Sequence, residues 1–134
     1  MLTEKLLIVD DIGQLRKLLR LTLGYGIYQM YETDNGKDAL ELARSIMPSV
    51  IVLDVMLPGG MNGFQVCEAI KNDERLKSIF IVLLTAHSQE TDRDEARRVG
   101  ADAYITKPFS PAHLIEVIES RLRNTPPPPP KELG

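Results

Sequence analysis

Cysteine is almost absent from this chain: Cys67 is the single one in 134 residues. An internal disulfide framework is therefore excluded, and the chain suits a reducing compartment, which makes the cytoplasm its expected location. Long hydrophobic runs are lacking too, and no apolar stretch approaches the about 18 residues that a membrane span requires. The opening "MLTEKLLIVDD" lacks the sequence of charged region, apolar stretch and small-residue cleavage site that marks a signal peptide. A strong excess of one charge is also missing. With a formal net charge of −3, the composition argues against a general nucleic-acid binder or a strongly membrane-adsorbing surface.

What is present is the composition of an ordinary globule, 43% hydrophobic and 26% charged, at a length suited to one domain. Short apolar runs recur at "LLIV" (6–9), "VIVL" (50–53), "IFIVLL" (79–84) and "AYI" (103–105). Each is too short for a helix and rich in Ile, Val and Leu, as strands buried on both faces are. A fifth, "IYQMYE" (27–32), alternates and reads as an edge strand. Between the runs lie helical patterns. Leu15, Leu18, Leu19 and Leu23 share a face of the first; Ala39, Leu40, Ala43, Ile46 and Met47 share one in the second, which Pro48 closes. Val66, Cys67 and Ile70 mark a third, Ala96 and Val99 a fourth ended by Gly100, and Leu114, Val117, Ile118 and Leu122 a fifth. This alternation predicts an α/β fold: a flavodoxin-like (βα)5 doubly wound sandwich, its five-stranded parallel sheet in the order 2-1-3-4-5 with helices on both faces.

After Arg123 the character changes to "NTPPPPPKELG". The proline run cannot continue a helix and favours an extended polyproline II rod. Residues 1–123 are thus expected to form the folded unit and 124–134 a proline-rich linker or tail, with an effector expected beyond it.

In open α/β sheets, ligands bind beyond the carboxyl ends of the strands. Asp10 and Asp11 follow the first predicted strand, Asp54 ends the third, Thr85 follows the fourth, and Lys107 with Pro108 follows the fifth. Each alone has a bland explanation. Asp10 and Asp11 suit a helix cap, Asp54 a turn, Thr85 an N-cap, and Lys107 a solvated lysine. Together they place three carboxylates, a hydroxyl and an ammonium at the same ends of adjacent strands. Crowded carboxylates repel and raise at least one pKa unless a cation is present. A small set of hard oxygen ligands suits Mg²⁺, which favours one or two carboxylates plus a phosphoryl oxygen. A carboxylate facing a phosphoryl group can attack it, and the transferred oxygens then need donors of the kind Lys107 and Thr85 carry. Phosphoryl transfer to an aspartate is the chemistry this set supports.

The motifs "LLIVDD", "IVLDVMLP", "VLLTA" and "GADAYITKPFS" resemble the response-regulator receiver domain of two-component signalling, over roughly residues 4–123. The resemblance implies Asp54 as phospho-acceptor and Asp11 as direct Mg²⁺ ligand, with Asp10 acting largely through water. It implies the backbone carbonyl of Met56 as a third protein ligand. Lys107 would pair with the phosphoryl group beside a cis Lys107–Pro108 bond, with Thr85 and Tyr104 as the switch pair. The implied partners are a sensor histidine kinase or histidine phosphotransfer protein upstream and an effector domain or protein downstream. The switching surface is the face of the fourth helix, fifth strand and fifth helix. Such a chain is a signalling module rather than a turnover enzyme, catalysing only its own phosphorylation and dephosphorylation, with no direct nucleic-acid or membrane binding expected of this segment.

Two departures from that pattern stand out. "PGGMNG" is one residue longer than the usual loop and carries Asn62 where relatives often have aspartate; the extra residue is expected to bulge outward, and Asn62 to cap the third helix. "GADAY" replaces a frequent "GADDY", and Ala103 removes a charge used in a symmetric dimer face, which disfavours that assembly while leaving a dimer on phosphorylation open. The rival reading is an aspartyl-phosphate hydrolase of the haloacid-dehalogenase type. It wants a second aspartate two residues after the nucleophile, where this chain has Met56. His87 reads as an exposed loop residue, His113 as decoration of the fifth helix, Cys67 as a small buried hydrophobe, and Arg97–Arg98 as a solvated helix end.

Overall fold

The strands form where short runs of β-branched and leucine side chains can be buried on both faces. In a computed structural model that describes residues 4–24, 28–86 and 90–121, they are β1 (Glu4–Val9), β2 (Tyr28–Thr33), β3 (Val50–Asp54), β4 (Phe80–Thr85) and β5 (Ala103–Thr106). The helices between and after them are α1 (Gly13–Leu23), α2 (Gly36–Ile46), α3 (Gly63–Lys71), α4 (Glu90–Arg98) and α5 (Pro111–Ser120). All strand pairs are parallel and the order is β2-β1-β3-β4-β5, the expected doubly wound topology. β3, at the centre, is buried along its whole length, whereas β2 at the edge is mixed.

Strand alternation splits the core in two. Leu7, Val9, Ile51, Leu53, Ile81 and Leu83 point to one side, against Ala39, Leu40 and Ala43 of α2, Val66, Cys67 and Ile70 of α3, and Ala96 of α4. Leu6, Ile8, Val50, Val52, Val82 and Leu84 point to the other, against Leu19 and Leu23 of α1 and Leu114, Val117 and Ile118 of α5. Each fully buried Leu or Ile contributes about 1.5–3 kcal/mol of transfer free energy. No helix among the described residues is long and apolar enough to cross a membrane.

Three local expectations are corrected. Leu18 is 45% exposed. The core-facing ridge of α1 is the i, i+4 row of the partly buried Leu15 and the buried Leu19 and Leu23, and Leu18 lies about 100° around the helix from its centre. Met47 is outside α2 rather than on its apolar face. It is the C-cap in left-handed conformation (φ 51°, ψ 63°), with its N–H donating to the Ala43 carbonyl and its side chain exposed. His113 does not decorate α5: it is buried, on the same helix as the core residues Leu114 and Val117. Its ring nitrogens have no hydrogen-bond partner among the described residues. Ile27, His87, Leu122 and the proline-rich tail lie outside the described residues.

Candidate functional site

Strand register turns separate strand ends into one crevice. Val9 is paired with Leu53, and Asp54 with Leu84, so Asp10 and Asp54 leave neighbouring strands at one level. Both are buried, at 0% and 3% exposure, while the adjacent Asp11 is exposed. One carboxylate oxygen from each of the three lies within 4.8 Å of the others. Lys107, on the β5–α5 connection, reaches back to them. Its Nζ is 3.3 Å from Asp10 Oδ2 and 3.2 Å from Asp54 Oδ1. The lysine is set by its own backbone, whose N–H donates to the Thr85 carbonyl at 2.7 Å, next to a cis Lys107–Pro108 bond.

Backbone donors orient the two buried acids. The Ile12 N–H donates to Asp10 Oδ1 at 2.8 Å, and the Met56 N–H to Asp54 Oδ1 at 3.3 Å. Asp10 therefore does not cap α1 in the usual manner; Ile12 is the N-cap and offers no side-chain bond. Burial pushes the Asp54 carboxyl above its ordinary range, and the neighbouring Asp10 adds to the rise, while Lys107 and the Met56 N–H pull it down. Three carboxylates against one ammonium leave the cluster negative. That surplus, in hard oxygen donors, fits a small divalent cation such as Mg²⁺.

On the sheet face covered by α3 and α4 sits a second pair. Thr85 is fully buried, and the half-buried Tyr104 shares a hydrogen bond with it. Register explains the meeting: Leu83 pairs with Tyr104 and Thr85 with Thr106, so the two side chains are diagonal neighbours on one face. Burial raises the Tyr104 phenol above its ordinary range, partly offset by the bond with Thr85.

The lengthened loop joins β3 to α3 between fixed ends. Asn62 caps α3 in a reciprocal capping box with Gln65, at 2.8 and 2.9 Å. Gly59 and Gly60 both take positive φ (88° and 84°), and a Cβ on either would meet no atom within 4 Å. The doubled glycine thus occupies open space, as the outward bulge requires.

The sequence matches the response regulator receiver domain over residues 6–119. The chain belongs to the response regulator receiver domain family. Among curated relatives, the transcriptional regulatory protein SrrA of Staphylococcus aureus (strain NCTC 8325 / PS 47) is 38% identical over 124 residues, covering 92% of this chain and 50% of SrrA. The chain spans about half the length of the curated relatives it matches. Among solved structures, the chemotaxis response regulator CheY4 of Vibrio cholerae superimposes with a TM-score of 0.81 at 29% identity, over 89% of this chain and 98% of CheY4. The response regulator DrrB of Thermotoga maritima, an OmpR/PhoB homologue, does so with a TM-score of 0.81 at 30% identity, over 91% of this chain and 54% of DrrB.

This receiver domain is a signalling module of two-component systems. Receiver domains in general bind Mg²⁺, and Asp10, Asp11 and Asp54 are a donor set suited to a metal. Sequence reasoning did not assign a role to Arg16, whose Nη1 donates to the Asp10 carbonyl at 2.8 Å, or to Gly63, packed against the Asp54 carbonyl. It also missed Lys71, whose Nζ donates to the Ile79 carbonyl at 2.7 Å and to Asp102 Oδ2 at 2.8 Å. A glycine directly after a helix-capping Asn was the one local signal available.

Proposed function

We propose that this receiver domain, comprising residues 1–123 with 124–134 as a linker or tail, accepts a phosphoryl group on Asp54. The observation that carries the reading is Lys107 Nζ lying between Asp10 and Asp54, at 3.3 and 3.2 Å, in a cluster that also holds Asp11. The donor is a sensor histidine kinase or a histidine phosphotransfer protein, and the setting is the cytoplasm. A carboxylate oxygen of Asp54 attacks phosphorus, the bond from phosphorus to the donor breaks with its electron pair leaving on the donor, and an acyl phosphate results. Water later attacks the same phosphorus and restores the carboxylate with release of phosphate.

Asp10, Asp11 and Asp54, with the Met56 carbonyl, would hold Mg²⁺. Bound there, the ion supplies positive charge that neutralises the acids and draws phosphoryl oxygens toward them. Lys107 then moves its ammonium from the two carboxylates to the transferred phosphoryl oxygens, and Thr85 donates its hydroxyl to another. Because Thr85 already bonds with Tyr104, a pull on Thr85 is transmitted to Tyr104 and to the face of α4, β5 and α5. That face is re-presented to an effector domain or protein, as a shift between two populated states.

The test is incubation with acetyl phosphate and Mg²⁺ followed by intact mass measurement. One added phosphoryl group is expected, absent in Asp54→Asn and without metal. No adduct under any condition overturns the proposal, and rapid multiple turnover of varied phosphate esters would favour a hydrolase.

A further inference from the structure

Of the three clustered acids, Asp11 is the one whose side chain no other described residue holds. Asp10 accepts from the Ile12 N–H and faces Lys107; Asp54 accepts from the Met56 N–H and faces Lys107 as well. Asp11 makes no side-chain hydrogen bond or ion pair among the described residues. Its carboxylate is therefore aimed by its backbone alone, and the placement of that backbone depends on the peptide unit joining residues 10 and 11.

That peptide is gripped from outside the site. Arg16, in the first turn and a half of α1, donates from Nη1 to the Asp10 carbonyl at 2.8 Å and from Nε to Glu32 Oε1 at 3.1 Å. Glu32, on β2, is in turn paired with Arg20. Asp10 also donates its own N–H to the Thr33 carbonyl at 3.2 Å, so the tip of β1 is tied to β2 on both sides of the residue. The peptide group is planar, so fixing the direction of the Asp10 carbonyl fixes where the nitrogen and Cα of Asp11 lie. The Arg16 and Glu32 side chains are only 24% and 23% exposed, and a planar guanidinium loses little freedom in spanning two acceptors.

We infer that Arg16 is a positioning residue for the Asp11 carboxylate, holding the 10–11 peptide so that Asp11 faces Asp10 and Asp54 in a cation-ready arrangement. The inference rests on the reading of this acid cluster as the Mg²⁺ site. It has a consequence opposite in sign to that of charge. Removing the guanidinium makes the surroundings more negative, which by charge alone tightens a dication. Loss of positioning loosens it.

The experiment is a Mg²⁺ titration of the folded protein, followed by amide shifts of residues 10–12 and 54–56, well below the melting temperature of each variant. Arg16→Gln is expected to bind Mg²⁺ about tenfold more weakly despite the lost positive charge. Arg16→Lys keeps the charge but not the fork, and is expected to fall between it and the wild type. Equal or tighter binding in folded Arg16→Gln overturns the inference; should that variant not fold, wild-type affinity in Arg16→Lys does so. Asp11→Asn separates the two levels. If the wild type binds no Mg²⁺, or Asp11→Asn binds as the wild type does, the cluster reading itself fails and the positioning role falls with it.

Discussion

Gly63 is wedged against Asp54: a Cβ at position 63 would lie 2.3 Å from the Asp54 carbonyl oxygen and 2.8 Å from the Val55 Cα. The Gly63 N–H donates to the Val55 carbonyl at 2.8 Å, so the first residue of α3 is fastened to the strand end that carries Asp54. Neither contact can give, because both involve backbone. Gly63→Ala is expected to cost about 2–3 kcal/mol, as an overpacked core site does, and to displace Asp54. Urea melts should show the loss, and acetyl phosphate labelling should fall with it. Gly59→Ala, three residues from the cap in open space, should cost about 1 kcal/mol through its positive φ and leave labelling intact.

Burial of Asp54 predicts a pH dependence. The Asp54 pKa is raised in the folded state above its ordinary value of 3.8, through burial first and Asp10 second. The folded protein therefore binds this proton more tightly than the unfolded chain. Its contribution to stability is fully present below pH 3.8 and is lost as pH rises through the folded value. At neutral pH the ionised group is a liability in the metal-free protein. Asp54→Asn should be more stable than wild type by roughly 1 kcal/mol at pH 7 in EDTA, because the amide removes a carboxylate that burial and Asp10 disfavour while Lys107 keeps Asp10 as its partner. The gap should narrow as pH falls toward 3.8; urea midpoints across that range measure it. A variant less stable than wild type at pH 7 would contradict this account.

Cys67 should be chemically silent. It is fully buried on α3, its thiol is pushed up to about 12 by that burial, and its Sγ lies 3.6 Å from the Val99 carbonyl. With so little thiolate at pH 8, iodoacetamide should leave the native protein unmodified and label it fully in denaturant. Native labelling at the rate of an exposed thiol would show α3 opening from the sheet.

Met47 offers a stabilising change. Its left-handed φ of 51° is costly for a residue with a Cβ, and its side chain is 48% exposed, so little burial is at stake. Met47→Gly should raise stability by about 0.5–1 kcal/mol, the usual gain when glycine takes a left-handed C-cap. Thermal or urea unfolding would show it, with phosphorylation unchanged.

How much of this was legible beforehand divides along the range of the interactions. Leu6 to Val9 and Val50 to Leu53 are strands because short apolar runs cannot bury themselves as helices, and the alternation with helical patterns leads to a parallel doubly wound sheet. From that topology alone, the residues just past the strands share one edge, which is why Asp10, Asp11, Asp54, Thr85 and Lys107 could be picked out. Leu18, Met47 and His113 depart from the pattern for a common reason. Helical spacing says which residues share a stripe, and not where the stripe ends or what lies over it. His113 needed the arrival of α5 on the sheet to be buried.

The chain's own order of residues thus determined the period of each element, the topology, and which acids stand at strand ends, since those follow from local patterning and from rules of connection. Tertiary structure alone decided the rest. Lys107 meets Asp10 across 97 residues, Arg16 reaches the Asp10 carbonyl from another element, and Gly63 has room for a hydrogen and nothing more beside Asp54. Such contacts depend on strand register and on how closely a helix approaches a sheet. Those are set by the packing of the whole core at once, which no single segment encodes.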